Sequence, residues 1–263
     1  MIDYLIRVYV FFFARSRFEK FNKLLHRVSL SGLGVLNYKT STVSGEKAFI
    51  ESYLHNKSGV VIDVGANVGG YSKDVIRVNS SLTVFAFEPH PVTFSKLSES
   101  MSSFENVVTV NKGMSYELGM LKLFDYSDND GSQHASLYQN VMKDIHGAGS
   151  VTEHQVEVIT LDEFLSSEKV EEVTLLKIDT EGNELEVLHG AKKAIEQKKI
   201  KAIHFEFNEM NTISKAFFRD FWKLLDNYRF YRLLPNEMME IKKYSPLNCE
   251  IFAYQNIVAI LED

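Results

Sequence analysis

The sequence predicts an α/β protein whose sheet is mostly parallel and carries helices on both faces. Three observations lead there. Past residue 45 the chain alternates strand-like and helix-like segments, the order that builds βα units. A mostly apolar run, Val60-Val-Ile-Asp-Val64, enters a glycine turn, Gly65-Ala-Asn-Val-Gly69-Gly70. A second run, Thr83-Val-Phe-Ala-Phe87, ends on Glu88, 25 residues after Asp63. Short runs of this kind are what strands covered on both faces look like.

In chain order, Val60–Val64 is the first strand, and a helix follows Gly70. Thr83–Phe87 is the second strand. Pro91 opens a helix in which Phe94, Leu97, Met101 and Phe104 recur at helical spacing. Val107–Val110 is a third strand, ending at Asn111. Between residues 114 and 160 the alternation lapses. Leu121-Lys-Leu-Phe-Asp-Tyr126 reads as extended, a stretch rich in Ser, Asp and Asn spans 127–136, and Val156-Glu-Val-Ile-Thr-Leu161 is extended again. An insertion over the carboxyl end of a sheet is where substrate loops sit. Thr174–Ile178 is the next strand, leading into Asp179-Thr-Glu-Gly182. A helix then carries Leu185, Leu188, Ala191 and Ile195 on one face. Ala202–Phe207 is a strand, Phe217, Phe221, Leu224 and Tyr228 mark a helix, and Tyr231–Leu234 and Ile257–Ile260 are the final strands. No helical pattern joins those two, which predicts an antiparallel hairpin at the sheet edge. The count is seven strands with a terminal antiparallel one, in one domain over 46–263, preceded by a helical extension over 1–45.

Hydrophobic residues make up 45% of the 263, enough for a full core, and the net charge of −6 argues against a nucleic-acid partner. Cys249 is the only cysteine, which excludes an intramolecular disulfide and a cysteine-based zinc site and fits a cytoplasmic, reducing compartment. The apolar run Val8–Ala14 has seven residues, against about 20 needed to span a bilayer. Its flanking Arg15 and Arg17 follow the run, the reverse of a secretory signal. Beyond them Lys20, Lys23 and Arg27 interleave with Phe18, Phe21, Leu24 and Leu25, an amphipathic basic helix. Two roles fit residues 1–27: packing on the domain or against a second subunit of a homodimer, or lying as a peripheral anchor in a membrane interface.

The glycine spacing bears on the ligand. Gly65-x-x-x-Gly69-Gly70 is not the G-x-G-x-x-G turn that seats a pyrophosphate on a helix N-terminus. An acid two residues before the first glycine suits a ligand without phosphates that carries an amino acid moiety, as S-adenosylmethionine does. Glu88, at a strand end, is placed to accept both hydroxyls of a ribose. Asp63 anchors the methionine ammonium region or braces the turn, and Asn67 bonds the cofactor or holds the loop. Ala66, Gly69 and Pro89 complete the cofactor set with Gly65. Asn111 and Gly113 stand where an adenine edge would be met, although a plain turn also uses Asn and Gly.

Asp179 and Glu206 end neighbouring strands. An acid inside an apolar segment such as His204-Phe-Glu-Phe207 is costly unless paired or liganded. The two are expected to form a carboxylate pair that binds Mg²⁺, which prefers hard oxygens, or supplies a general base. His134, in the polar loop Ser132–Ser136, is a second candidate base. Glu181 and Glu184 suit a helix start, and His204 reads as a satisfied strand histidine.

With these segments in hand the chain resembles the FkbM family of S-adenosylmethionine-dependent methyltransferases. The resemblance rests on Val61–Ser72, Val84–Pro91, Ala135-Ser-Leu137, Thr160-Leu-Asp-Glu-Phe164, Leu176–Leu185 and Ile203-His-Phe-Glu206. Together these blocks cover about residues 59–208. It implies a class I methyltransferase Rossmann-like fold and methyl transfer to a hydroxyl, often of a sugar or a polyketide. By motif, Asp63, Gly65, Asn67 and Glu88 fall on the cofactor side, and Asp179, Glu181 and Glu206 on the reaction side. Lys112-Gly113-Met114 departs from the small residues and Ser-Asp common at that place. The leading expectation is an O-methyltransferase with a small-molecule or glycan acceptor, such as a polysaccharide sugar. A nicotinamide-dependent oxidoreductase would share the sheet and the ribose acid but not the glycine spacing. An inactive binding domain would keep the fold without the four carboxylates.

Overall fold

The computed structural model describes residues 1–128, 131, 132 and 134–262. Of the polar segment 127–136, residues 129, 130 and 133 lie outside them. The main sheet is built from β1 (Val60–Val64), β2 (Thr83–Phe87), β3 (Val107–Val110), β7 (Val173–Ile178), β8 (Ala202–Phe207), β9 (Tyr228–Leu234), β10 (Glu237–Glu240) and β11 (Gln255–Leu261), all but β10 following from a short, mostly apolar run. Their spatial order is β10-β9-β11-β8-β7-β1-β2-β3. β3, β2, β1, β7 and β8 are parallel neighbours, and β11 runs antiparallel to both β8 and β9.

The sheet therefore has eight strands rather than the seven expected, and the last two of those seven are not an edge hairpin. β11 inserts between β8 and β9, while β10 folds back on β9 to make the edge. Glu237-Met-Met-Glu240 escaped notice because an edge strand of four residues pairs through its backbone and needs no apolar signature. Tyr228 opens β9 instead of closing the preceding helix, Phe218–Leu224. The insertion over 114–160 forms a small second sheet in the order β4-β6-β5, from β4 (Gly113–Met114), β5 (Gly119–Tyr126) and β6 (Val151–Ile159).

Period-2 alternation sorts the side chains of the central strands into two layers. Ile62, Val64, Leu176, Ile178, Ile203, Phe205 and Phe207 fill one core. Val61, Leu175 and Ala202 fill the other with Phe49, Ile50 and Leu54 of the helix Glu46–Leu54 and Val75 and Ile76 of the helix Gly70–Val78. On that second face Asp63, Lys177 and His204 lie in register across β1, β7 and β8. Three polar residues in a row through a buried layer are tolerated because each has partners. Ser72 Oγ donates to Asp63 Oδ2 at 2.6 Å, and His204 lies between the Tyr71 hydroxyl and Asn256 Oδ1, each at 3.0 Å. His204 is thus the satisfied histidine its strand position suggested.

At the N-terminus, α1 (Ile2–Phe13) and α2 (Glu19–Gly32) bury no residue. They hold one another through Phe13, whose ring lies 5.1 Å from Phe18 and 5.7 Å from Phe21. Contact with the sheet begins after α2, where Arg232 donates to the Leu33 carbonyl and buried Val35 pairs with Gln255. Among the described residues no helix is long and apolar enough to cross a membrane.

Candidate active site

A cleft of about 480 Å³ opens at the carboxyl ends of the central strands. Strand order sets the sequence of groups along its floor: Glu206 in the last residues of β8, Asp179 after β7, Gly65 after β1 and Glu88 after β2. Asn67, Pro89 and Gly113 line the β1–β2 half, while His134 faces the cleft with Glu181 beyond β7.

Four residues expected at the cofactor do not line the cleft. Asp63 is buried beneath the turn and braces Ser72 at the start of the following helix, and burial pushes its carboxyl up to about 6. The Ala66 N–H donates to the Phe87 carbonyl at 2.8 Å, tying the turn to the end of β2. Gly69 packs on Met101 and Leu97. Asn111 donates to the Glu88 and Pro89 carbonyls at 2.8 and 3.2 Å, fixing the backbone around Glu88. All four shape the turn that the other residues present.

Gly65 has a specific reason to be glycine. Its φ is +82°, and a Cβ there would sit 1.7 Å from the Asp179 carbonyl oxygen. The turn after β1 is thereby closed onto the end of β7. Asn67, at φ +50°, directs its N–H to Glu88 Oε2 at 3.0 Å, and the His90 N–H reaches Oε1 at 2.8 Å. Burial still wins over these two bonds and pushes the Glu88 carboxyl up to about 7. A carboxylate so clamped is oriented before any ligand arrives, with lone pairs left to accept hydroxyl donors.

The β7–β8 half holds a network that strand reading passed over. The Lys177 ammonium is buried, 3.5 Å from Asp179 Oδ2 and 3.7 Å from Glu46 Oε1, above the Tyr71 ring. Burial alone would lower its pKa, but Asp179, Glu46 and Glu206 together hold it charged. Burial pushes Asp179 up and Glu206 well up, and Asp179 adds repulsion on Glu206. The pair is adjacent as expected, since β7 and β8 pair through Ile178 and Phe205 immediately before it. Its counter-charge is Lys177, and among the described residues no third metal-type ligand gathers on it.

Glu184, buried, collects the N–H groups of Thr180 and Gly182 and holds the loop after β7. Glu181 instead projects into the cleft beside His134 and His146. The two imidazoles outweigh burial and hold its carboxyl below the usual range, and Glu181 in turn raises His134. Sequence reading had not singled out Lys177, His146, or the pair Tyr38 and Tyr254, whose rings meet at 6.0 Å on the cleft wall. A lysine interrupting Leu175-Leu-Lys-Ile178 was the one signal available.

A parallel sheet with an antiparallel strand, β11, inserted between β8 and β9, and helices around it, defines a class I methyltransferase fold. The chain belongs to the FkbM methyltransferase family: the methyltransferase FkbM domain matches residues 63–232. It is 28% identical over 162 residues to the hexuronic acid methyltransferase AglP of Haloferax volcanii, covering 60% of this chain and 62% of that protein. Over 174 residues it is 25% identical to the 2-O-methyltransferase NoeI of Sinorhizobium fredii, covering 61% and 68%. The chain thus spans about three fifths to two thirds of the relatives it matches. Among solved structures, a precorrin-6y C5,15-methyltransferase from Geobacter metallireducens superposes with a TM-score of 0.43 at 13% identity, covering 82% of this chain and 87% of that one.

Proposed function

We propose that this protein is an S-adenosylmethionine-dependent O-methyltransferase acting on a sugar hydroxyl of a polysaccharide or other glycoconjugate. The observation that carries the reading is the divided floor of the cleft: a pre-oriented acceptor carboxylate, Glu88, on the β1–β2 side and the Asp179–Glu206 pair on the β7–β8 side. The residues suit the cofactor. The turn at Gly65 admits no side chain, and a cleft of about 480 Å³ lies within the usual range for small-ligand sites, roughly 300–1,000 Å³. The named activities of AglP and NoeI, on a hexuronic acid and at a 2-hydroxyl, support a sugar acceptor.

When bound, S-adenosylmethionine supplies a methyl group on a sulfonium. Glu88 would hold the ribose diol, with Gly65 and Asn67 keeping the turn clear. Asp179 would accept the proton of the acceptor hydroxyl, the bound cofactor supplying the methyl group. Glu206 stands beside Asp179 and orients the acceptor, and Lys177 holds Asp179 in place from below. Positioning supplies much of the rate, because nucleophile, carbon and sulfur must be in line.

Calorimetry with S-adenosylhomocysteine and with NAD tests the cofactor, and methyl transfer to uronic acid and neutral hexose glycosides tests the acceptor class. Binding of NAD alone would end this reading. The raised Glu88 carboxyl adds a pH signature. A diol donates to the ionised form, and burial holds that carboxyl at about 7, so ionisation must accompany binding below that pH. S-adenosylhomocysteine affinity is therefore expected to rise by up to about tenfold per pH unit below 7 and level off above it, with proton release. Glu88→Gln should weaken binding and remove the slope; a flat wild-type profile from pH 6 to 8 would contradict the role.

For α1 and α2 we propose seating on an anionic membrane surface. Phe11 and Phe12 are 67% and 56% exposed, and residues 1–27 carry six basic against two acidic side chains. The full chain should sediment with phosphatidylserine vesicles, and Phe11→Glu with Phe12→Glu should reduce the bound fraction severalfold without altering the melting temperature. Sedimentation indifferent to both would favour packing or dimer contact.

A further inference from the structure

His134, His146 and Glu181 come from three separate segments and meet on the β7 side of the cleft. His134 sits in the loop after β5, His146 follows the single wide turn Val141–Ile145, and Glu181 follows β7. Their donor atoms all lie within 4.8 Å of one another. His134 Nδ1 is 3.7 Å from Glu181 Oε1, and His146 Nε2 is 3.5 Å from Glu181 Oε2. The two imidazoles stand 4.4 Å apart, tilted by 31°.

This is an unusual way to leave three polar groups. Among the described residues, buried His146 Nε2 and Glu181 Oε2 make no hydrogen bond, facing one another at 3.5 Å instead, although each has capacity to spare. Direct hydrogen bonds would have drawn the atoms below about 3.2 Å. Donors bound at about 2.0–2.1 Å around a tetrahedral ion stand roughly 3.3–3.4 Å apart. The two imidazole–carboxylate separations of 3.5 and 3.7 Å are already close to that, and side-chain rotation by up to about 1.5 Å brings in the rest of a donor set that lies within 4.8 Å.

The surroundings hold the arrangement in place. Glu181 takes a left-handed backbone, φ +53°, and its carbonyl accepts the Ser136 hydroxyl at 2.8 Å, which ties the carboxylate to the loop bearing His134. That loop is fixed in turn by Asp125, whose carboxylate accepts the Gly131 and Ser132 N–H groups at 2.7 and 2.8 Å. Ser132 Oγ accepts the His134 N–H. Buried Val141 and Met142 anchor the turn before His146.

We propose that His134, His146 and Glu181 bind a divalent first-row transition ion of the zinc, manganese or iron(II) class. Two imidazoles and one carboxylate are the donor set such ions prefer over Mg²⁺, which takes oxygens. Three protein ligands leave one or more positions open towards the cleft, where the ion binds the acceptor hydroxyl and lowers its pKa, Asp179 then taking the proton. This last role rests on the methyltransferase reading above; the site itself does not.

Cobalt(II) is the probe, because its visible d–d bands report nitrogen coordination directly. Titrated into the untagged full chain, it should give one equivalent of a spectrum displaceable by zinc. His146→Ala, and separately Glu181→Gln, should weaken cobalt binding by about 100-fold or more while S-adenosylhomocysteine binding, measured on the same samples, stays within a few-fold and shows the fold intact. Asp179→Asn should leave the cobalt spectrum in place. No spectrum at millimolar cobalt, a spectrum that survives both ligand substitutions, or one lost in Asp179→Asn would each overturn the site. Cobalt binding without S-adenosylhomocysteine binding would instead count against the cofactor reading alone and uphold the metal site.

Discussion

Gly65→Ala is expected to destabilise the protein by about 3–5 kcal/mol, at the upper end of what single substitutions do, and to abolish S-adenosylhomocysteine binding. Two effects add. The backbone at φ +82° is strained for any residue with a Cβ, and that Cβ would fall 1.7 Å from the Asp179 carbonyl oxygen. The obstacle is main chain at the end of a central strand, which cannot rotate away as a side chain could. Relief requires β1 and β7 to part where they pair, Val64 against Ile178. Gly70, five residues on, is the control: nothing lies within 4 Å of its Cβ position, and it begins a helix. Gly70→Ala should be neutral or stabilising by up to about 1 kcal/mol. Urea unfolding of the two variants against the parent measures both, and equal midpoints for all three would show that the turn after β1 opens freely.

That closure of the turn onto β7 explains how much of the site was legible. β1, β2, β7 and β8 stand out because a strand buried on both faces must be a short apolar run, and an acid such as Glu88 or Asp179 is conspicuous at its end. Parity along β1 could have separated Asp63 from the cleft, since it shares its face with buried Val61 while Ile62 and Val64 point the other way. Lys177 was hidden by the same rule that found its strand: one lysine in Leu175-Leu-Lys-Ile178 does not disturb the run. Its charge is balanced by Asp179 at its own strand end and by Glu46, on a helix more than a hundred residues earlier. β10 and β11 show the opposite limit. Edge pairing and strand insertion are set by backbone bonding and chain reach, and no side-chain period records them. The meeting of His134, His146 and Glu181 is likewise non-local, carried by a loop, a wide turn and a strand end that share no spacing.

The largest kinetic effect is expected at the carboxylate pair. Asp179→Asn and Glu206→Gln should each fold, bind S-adenosylhomocysteine within a few-fold of the parent, and lose about 10²–10⁴-fold in kcat on the true acceptor. The two substitutions keep size and remove an acid, so the cleft retains its shape. Cofactor binding is spared because Glu88 and the turn follow β2 and β1, while the pair stands at the carboxyl ends of β7 and β8. Asp179→Asn also takes away the nearer of the two carboxylates facing Lys177, leaving Glu46 at 3.7 Å. A modest fall in stability is therefore expected for that variant and not for Glu206→Gln, and the two can be told apart by melting. Turnover is the deciding measurement: a role made only in the transition state lowers kcat with little change in KM, whereas a role in acceptor binding raises KM. Full turnover in both variants, with fold and cofactor binding intact, would make the pair structural and take the acid–base chemistry away from it.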